Sequence, residues 1–184
     1  MQRAAWNESD ETSLVVAAKA GDIRAFDVLA VRYRRAAVLA ALRIVKRQEV
    51  AEDAVQDALL TAFKALPGLQ DNDRFAGWLG AIVRHRALRH LSKESRPEEP
   101  ISNYIDRLIL RQAPGISASN EEEELPVLDE LPEELQQIAR LYYAQAWPVA
   151  KIAEFLSLPV TTVKWRLSES RRRLRRRLAG TWEL

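Results

Sequence analysis

The stretch PVTTVKWRLSESRRRLRRRL, Pro159 to Leu178, decides how the chain is read. At helical spacing Val160, Val163, Leu167, Leu174 and Leu178 recur every three, four or seven residues and give it an apolar side. Thr161, Thr162, Lys164, Trp165, Ser168, Glu169, Arg172 and Arg175 fall on or around the other side. Just upstream, Pro148 to Leu156 reads as a short helix with proline in its first turn, where a missing N–H costs nothing. Ser157-Leu158-Pro159 leaves room only for a tight turn, and Pro159 can open the next helix. Two short helices, a tight turn and a basic second helix make a helix-turn-helix. An ordinary αα-hairpin with a solvated basic end has the same outline. Thr161 and Thr162 at the helix N-terminus, where free N–H groups and the helix dipole favour phosphate, point to nucleic acid instead.

Composition extends this reading to the whole chain. Its 184 residues suffice for one ordinary domain or two small ones, and a hydrophobic content of 47% permits real cores. Six glycines and eight prolines are few, and no stretch alternates as a strand would, so the expected fold class is all-α. The net charge is only +2, but it is unevenly spread. Lys164, Arg166, Arg171, Arg172, Arg173, Arg175, Arg176 and Arg177 face Glu169 alone, whereas Glu121 to Glu134 carries acidic residues and no basic one. Such asymmetry gives different surfaces different partners. The absence of cysteine excludes disulfides, thiol nucleophiles and zinc fingers, and His85 and His90 make no metal site without placed carboxylates. No apolar run approaches a membrane span and the first residues lack a signal peptide's apolar core, so a cytoplasmic protein is expected, with no membrane insertion and no cofactor.

In chain order, residues 1–12 read as a polar arm, and Leu14 to Ala20 as a short helix capped by Thr12 or Ser13 and stopped by Gly21-Asp22. Asp22 can cap a longer helix whose Phe26, Leu29, Tyr33, Ala37, Ala40, Ala41 and Ile44 recur on one face. From Glu49 to Leu66 the next helix buries Val55, Leu59, Ala62 and Leu66, with Phe63 beside them. Glu49, Glu52, Asp53, Gln56, Asp57, Leu60 and Lys64 share another arc, an acidic face with a leucine in it. Carboxylates suit the N-terminal half of any solvated helix, but four of them around Leu60 also suit docking to a basic protein surface. After the loop Pro67–Asp73, a helix from Phe75 to Lys93 lines Leu79, Val83, Ala87 and Leu91 along one face. Trp78, Ile82, His85, Arg86, Arg89 and Lys93 lie beside it, a mixture that can stack on an unpaired base and hold phosphates; Trp78 suits the core better than such a contact. Arg96 to about Pro126 reads as a flexible acidic linker with a turn of helix around Tyr104–Leu110. Leu128 to Ala144 opens a second domain packed through Leu131, Leu135, Ile138, Leu141 and Tyr142.

Five blocks now match one family in order and spacing: AGDIRAFDVLAVRY (20–33), AEDAVQDALLTAFKAL (51–66), RFAGWLGAIVRHRALRHL (74–91), LDELPEELQQIARLYY (128–143) and KIAEFLSLPVTTVKWRLSESRRRLRRRL (151–178). In these the chain resembles the group IV, extracytoplasmic-function (ECF) sigma factors of bacterial RNA polymerase. The resemblance implies a sigma-2-like bundle over residues 13–95 after an arm of 1–12, a linker over 96–126, and a sigma-4-like helix-turn-helix domain over 127–184. It implies a non-enzymatic initiation factor without a small-molecule substrate. Glu49, Glu52, Asp53, Gln56, Asp57 and Leu60 would dock on the clamp of the largest subunit of core RNA polymerase. Arg74, His85, Arg86, Arg89 and Lys93 would serve capture and melting of the minus-ten element. Thr161, Thr162, Lys164, Trp165, Arg166, Ser168, Glu169, Arg172 and Arg175 would meet the minus-thirty-five element of promoter DNA. An anti-sigma factor is the expected restraint.

The chain departs from the family pattern at four places. His85 stands where asparagine is common, Gly80 where tyrosine often follows Trp-Leu, Trp165 in place of a small residue, and Glu169 in place of a cation. A carboxylate in the major groove accepts from cytosine N4 but repels phosphate, so the usual promoter sequence is not carried over. A competing reading is a DNA-binding regulator that uses only the helix-turn-helix, its N-terminal half being a ligand or dimerisation domain. No phosphate loop, nucleophile triad or paired catalytic carboxylates support an enzyme.

Overall fold

The computed structural model describes residues 10–94 and 126–180; residues 1–9 of the expected arm, most of the linker and its Tyr104–Leu110 turn lie outside them, and Glu11 and Thr12, expected in the arm, are helical. The described residues hold helices and turns and no strand. Four helices form the N-terminal bundle: α1 (Glu11–Lys19), α2 (Ile23–Val45), α3 (Gln48–Ala65) and α4 (Phe75–Glu94). Gly21 turns the chain between α1 and α2 at φ +97°, a left-handed conformation that glycine adopts freely, and Asp22 then caps α2 by accepting from the Arg24 amide at 2.9 Å.

Alanine shapes this bundle. Ala36, Ala37, Ala40 and Ala41 on α2 are buried together with Ala51, Ala54, Ala58 and Ala62 on α3, so the helices approach with little between them. Larger side chains fill the ends: Phe26 meets Phe63 edge-on at 5.1 Å, and Leu29, Leu66, Leu79 and Val83 are fully buried or nearly so. Trp78 is half-buried against Phe75, with ring centroids 5.9 Å apart. Leu91, expected on the packing face of α4, is exposed, while its neighbour His90 is buried.

The first helix begins earlier than its sequence suggests. It starts at Glu11 after Asp10, with no side-chain cap, instead of after Thr12 or Ser13. Tertiary partners decide this: Thr12 donates to Asp73 at 2.7 Å, and Glu11 accepts from the Tyr33 hydroxyl at 2.8 Å.

The C-terminal module contains α5 (Glu133–Ala139), which runs into a wider π-helical turn over Arg140–Ala144, then α6 (Val149–Leu156) and α7 (Val160–Gly180). Glu133 and Glu134 sit in the first turn of α5, where the dipole favours them. Leu128, Leu131, Leu135 and Ala139 make a small core that Leu174 closes from α7. Val163 and Leu167 are buried as expected from their spacing, while Val160 at the start of α7 is exposed. Between α6 and α7, Ser157 takes the left-handed conformation at φ 52° and ends the first helix of the helix-turn-helix.

The two modules close on each other. Tyr33 and Phe75 from the bundle meet Trp147 and Phe155 from the C-terminal module, with neighbouring centroids 5.1 to 5.8 Å apart. Their burial joins both modules in one core. Burial, and then the Glu11 carboxylate that its hydroxyl meets, push the Tyr33 pKa well up, so the phenol stays neutral.

Candidate nucleic-acid and partner interfaces

The acidic arc on α3 arises from period and burial together. Ala51, Ala54, Val55 and Ala58 turn inward, which leaves Glu49, Asp53 and Gln56 exposed on the outer side. Glu52 and Leu60 are half-buried at its margin, and Glu52 accepts from Gln48 at 2.6 Å. Asp57 differs from its neighbours. Half-buried, it lies 2.6 Å from Nε2 of the buried His90 on α4, so it ties two helices together. The arc therefore offers two exposed carboxylates with a leucine close by, and a third carboxylate, Asp57, that braces the helix beneath.

On α4, His85 and Arg89 are exposed one turn apart on one side of the helix. Arg86 is half-buried, and its Nε has no hydrogen-bond partner although it is shielded from water. Arg74 lies in the short 3-10 turn Asn72–Arg74 that leads into α4, exposed and 3.5 Å from Asp71. Lys93 belongs to the last turn of the helix, and its side chain lies outside the described part.

On α7, Thr161, Lys164, Trp165, Ser168, Arg172 and Arg175 are exposed, and Thr162 is half-buried. Trp165 leaves 63% of its surface to solvent, an unfavourable place for an indole unless something covers it. Three of the expected contacts, Arg166, Glu169 and Arg172, are engaged within the protein. Arg166 is half-buried and donates to Glu134 on α5 at 3.0 Å, joining α7 to the helix behind it. Glu169 accepts from Arg172 at 2.7 and 2.8 Å and from Arg173 at 2.8 Å. Those hydrogen bonds, more than the charges themselves, hold the Glu169 carboxyl down at about 2 and raise the Arg172 pKa. A groove between the start of α5 and this part of α7 is lined by Pro132, Glu133, Leu135, Trp165, Glu169 and Arg173.

Some residues that shape the molecule went unnoticed in the sequence. Arg84 donates to the Phe155 carbonyl at 2.7 Å and to the Ser157 hydroxyl at 2.6 Å, at the end of α6; burial lowers its pKa. Lys151 donates to Glu11 and lies 4.6 Å above the Tyr33 ring and 4.8 Å above the Trp147 ring. The only hint in the sequence is Gly77-x-x-Gly80-x-x-x-Arg84, which puts two missing side chains and a cation on one helix face. No helix among the described residues is long and apolar enough to cross a membrane.

A bundle with an acidic outer helix, joined to a helix-turn-helix with an arginine-rich second helix, is the construction of a polymerase specificity subunit. Residues 29–97 match the family model Sigma-70 region 2, and residues 127–176 match Sigma-70, region 4. The chain is 26% identical over 176 residues to the RNA polymerase sigma-H factor of Pseudomonas aeruginosa, covering 89% of this chain and 91% of that one. It is 29% identical over 172 residues to the ECF RNA polymerase sigma-E factor of Escherichia coli K12, covering 86% and 88%. Among solved structures it is similar to CnrH in complex with the cytosolic domain of CnrY, at a TM-score of 0.54 and 25% identity over 92% of this chain and 97% of that one. The RpoE sigma factor of Bartonella quintana, solved with the anti-sigma factor NepR, shares the fold at a TM-score of 0.50 and 20% identity, over 82% and 94%. The chain belongs to the sigma-70 family, in its ECF group. It is a non-enzymatic initiation factor that binds core RNA polymerase and directs it to specific promoters.

Proposed function

We propose that initiation is divided between the two modules, the bundle at about 13–95 and the helix-turn-helix module at about 127–184. The α3 face with Glu49, Glu52, Asp53, Gln56 and Leu60 docks on a basic surface of the polymerase clamp, and Asp57 braces that face through His90. Arg74, His85, Arg86, Arg89 and Lys93, with the loop before α4, hold the opened minus-ten strand, where a histidine ring can stack on a base and arginine can bind phosphate. The N-terminal half of α7 enters the major groove of the minus-thirty-five element. There Thr161 and Thr162 approach phosphate at the helix N-terminus, while Lys164, Trp165 and Ser168 face base edges. Arg172 and Arg175 hold the backbone, and Arg166 fixes α7 to α5. The factor works in the cytoplasm, and an anti-sigma factor that covers these faces keeps it silent.

One observation carries this division: exposed carboxylates on α3 and exposed cations on α7 face solvent from separate helices of one chain. A charge reversal separates the two roles. Asp53→Lys should abolish retention on core polymerase and leave binding to minus-thirty-five duplex unchanged. Equal retention of wild type and variant would show that α3 is not the docking face. A regulator that acts on DNA alone would bind duplex and ignore polymerase in both forms.

A further inference from the structure

Thr161, Lys164, Trp165, Ser168 and Arg172 share one exposed strip of α7. Trp165 leaves 63% of its surface to solvent, more than any other large hydrophobic residue among those described. An indole is among the largest apolar groups a chain can bury, so one held outward is poised to be covered by something else. It stands where the strip borders the groove that Pro132, Leu135, Glu169 and Arg173 line.

The neighbouring groups that would read a cytosine or a guanine are already engaged. Glu169 could accept from cytosine N4, but both its oxygens accept from arginines and its side chain is only 11% exposed. Arg172 donates to that carboxylate through Nε at 2.7 Å and Nη2 at 2.8 Å, and Arg173 through Nε at 2.8 Å. Arg166 turns back to Glu134 at 3.0 Å. The bidentate arginine–guanine contact, the commonest specific one in the major groove, needs a guanidinium fork that is free to turn outward. What α7 leaves for base edges is Lys164, Ser168 and a broad apolar ring.

The major groove holds one group that matches such a ring. Of the four bases only thymine presents a C5-methyl there, beside its O4 acceptor. An indole presents the complement, an apolar ring with a single N–H donor at its edge. Cytosine in the same place would turn its N4 donor against the ring and lose water without gaining an acceptor. Lys164 beside Trp165 and Arg172 two turns on supply positive charge that draws this strip towards nucleic acid.

We infer that Trp165 is the specificity-determining residue of α7 and that it reads the methyl group of a thymine in the upstream element. The inference rests on the entry of α7 into the major groove proposed above. It ties a sequence preference to one chemical group, so deleting the methyl from the DNA and deleting the ring from the protein have the same effect and do not add.

The test titrates the wild-type chain and Trp165→Ala against the upstream duplex that the wild type selects from a random library. Each thymine of that duplex is replaced in turn by deoxyuridine, which lacks only the methyl. At one position the replacement should weaken wild-type binding about fourfold, which is what one buried methyl contributes, and should leave Trp165→Ala unaffected. At that position the wild type should bind 5-methylcytosine more tightly than cytosine, the alanine variant should bind both alike, and Trp165→Phe should restore the preference. Thymine and deoxyuridine bound alike by the wild type at every position would overturn the inference, and would be the result if a protein partner covers the ring instead. A penalty of equal size in Trp165→Ala would overturn it too. A wild-type chain that selects no upstream element would sink the entry of α7 into the groove along with it, whereas selection without methyl dependence would sink the thymine reading alone.

Discussion

Asp57 on α3 and His90 on α4 beneath it meet at 2.6 Å, with the imidazole buried and the carboxylate half-exposed. The acidic face of α3 is therefore not uniform: Asp53 is free to meet a partner, whereas Asp57 orients the helix that presents it. Replacing Asp57 leaves a buried ring nitrogen without its acceptor, which costs about 1–3 kcal/mol. In a chain of this size that lowers Tm by roughly 2–4 °C per kcal/mol. Asp57→Ala should lower both Tm and polymerase affinity, while Asp53→Ala should lower affinity alone. Differential scanning fluorimetry beside a polymerase-binding titration separates the two.

Glu169 holds Arg172 and Arg173 against itself on α7. Glu169→Gln should release both guanidinium groups to phosphate, tighten binding to unrelated duplexes and steepen the slope of log K against log salt by about 0.9 per new phosphate contact. An unchanged slope would mean that the arginines already bind phosphate in the wild-type complex. Arg172→Ala should accordingly cost more in the Glu169→Gln background than alone, a coupling that a double-mutant cycle on one duplex measures.

The same pair fixes the pH behaviour. The Glu169 carboxyl is lowered from 4.5 to about 2, so its contribution to stability is complete above pH 4.5 and is lost only as pH falls towards 2. DNA binding between pH 5 and 8 should therefore show no titration from Glu169. A Glu169-dependent change in that range, absent in Glu169→Gln, would contradict the arrangement.

Reading and positioning residues on α7 should separate in a selection experiment. Replacing Lys164, Trp165 or Ser168 should alter the preferred upstream element, at about 1–3 kcal/mol per lost base contact. Arg175→Ala should weaken all sequences alike. Arg166→Ala should do neither and should instead lower Tm, because its guanidinium is spent on Glu134.

The helices were legible because their signals are local. The apolar spacing of Val163 and Leu167, the Asp22 cap, the turn at Ser157-Leu158-Pro159 and the arc that exposes Asp53 each depend on residues within a few turns. What the sequence concealed depends on residues far apart in it. Glu11 joins α1 because Tyr33 and Lys151 come to meet it, and Lys151 is 140 positions away. Asp57 and Arg166 look like their exposed neighbours until His90 and Glu134 are found beside them. Gly80 was visible as a departure from the family pattern, but the close approach of α6 that it allows required the Phe155 carbonyl to be seen against it.

Runoff transcription with purified core polymerase on a library of random promoter templates tests the central claim most directly. With the wild-type chain present, transcripts should come from templates that share two separated elements, and Asp53→Lys should abolish them while binding to the upstream element survives. Duplex binding without any polymerase-dependent selection of templates would contradict the account and leave α3 a merely solvated face.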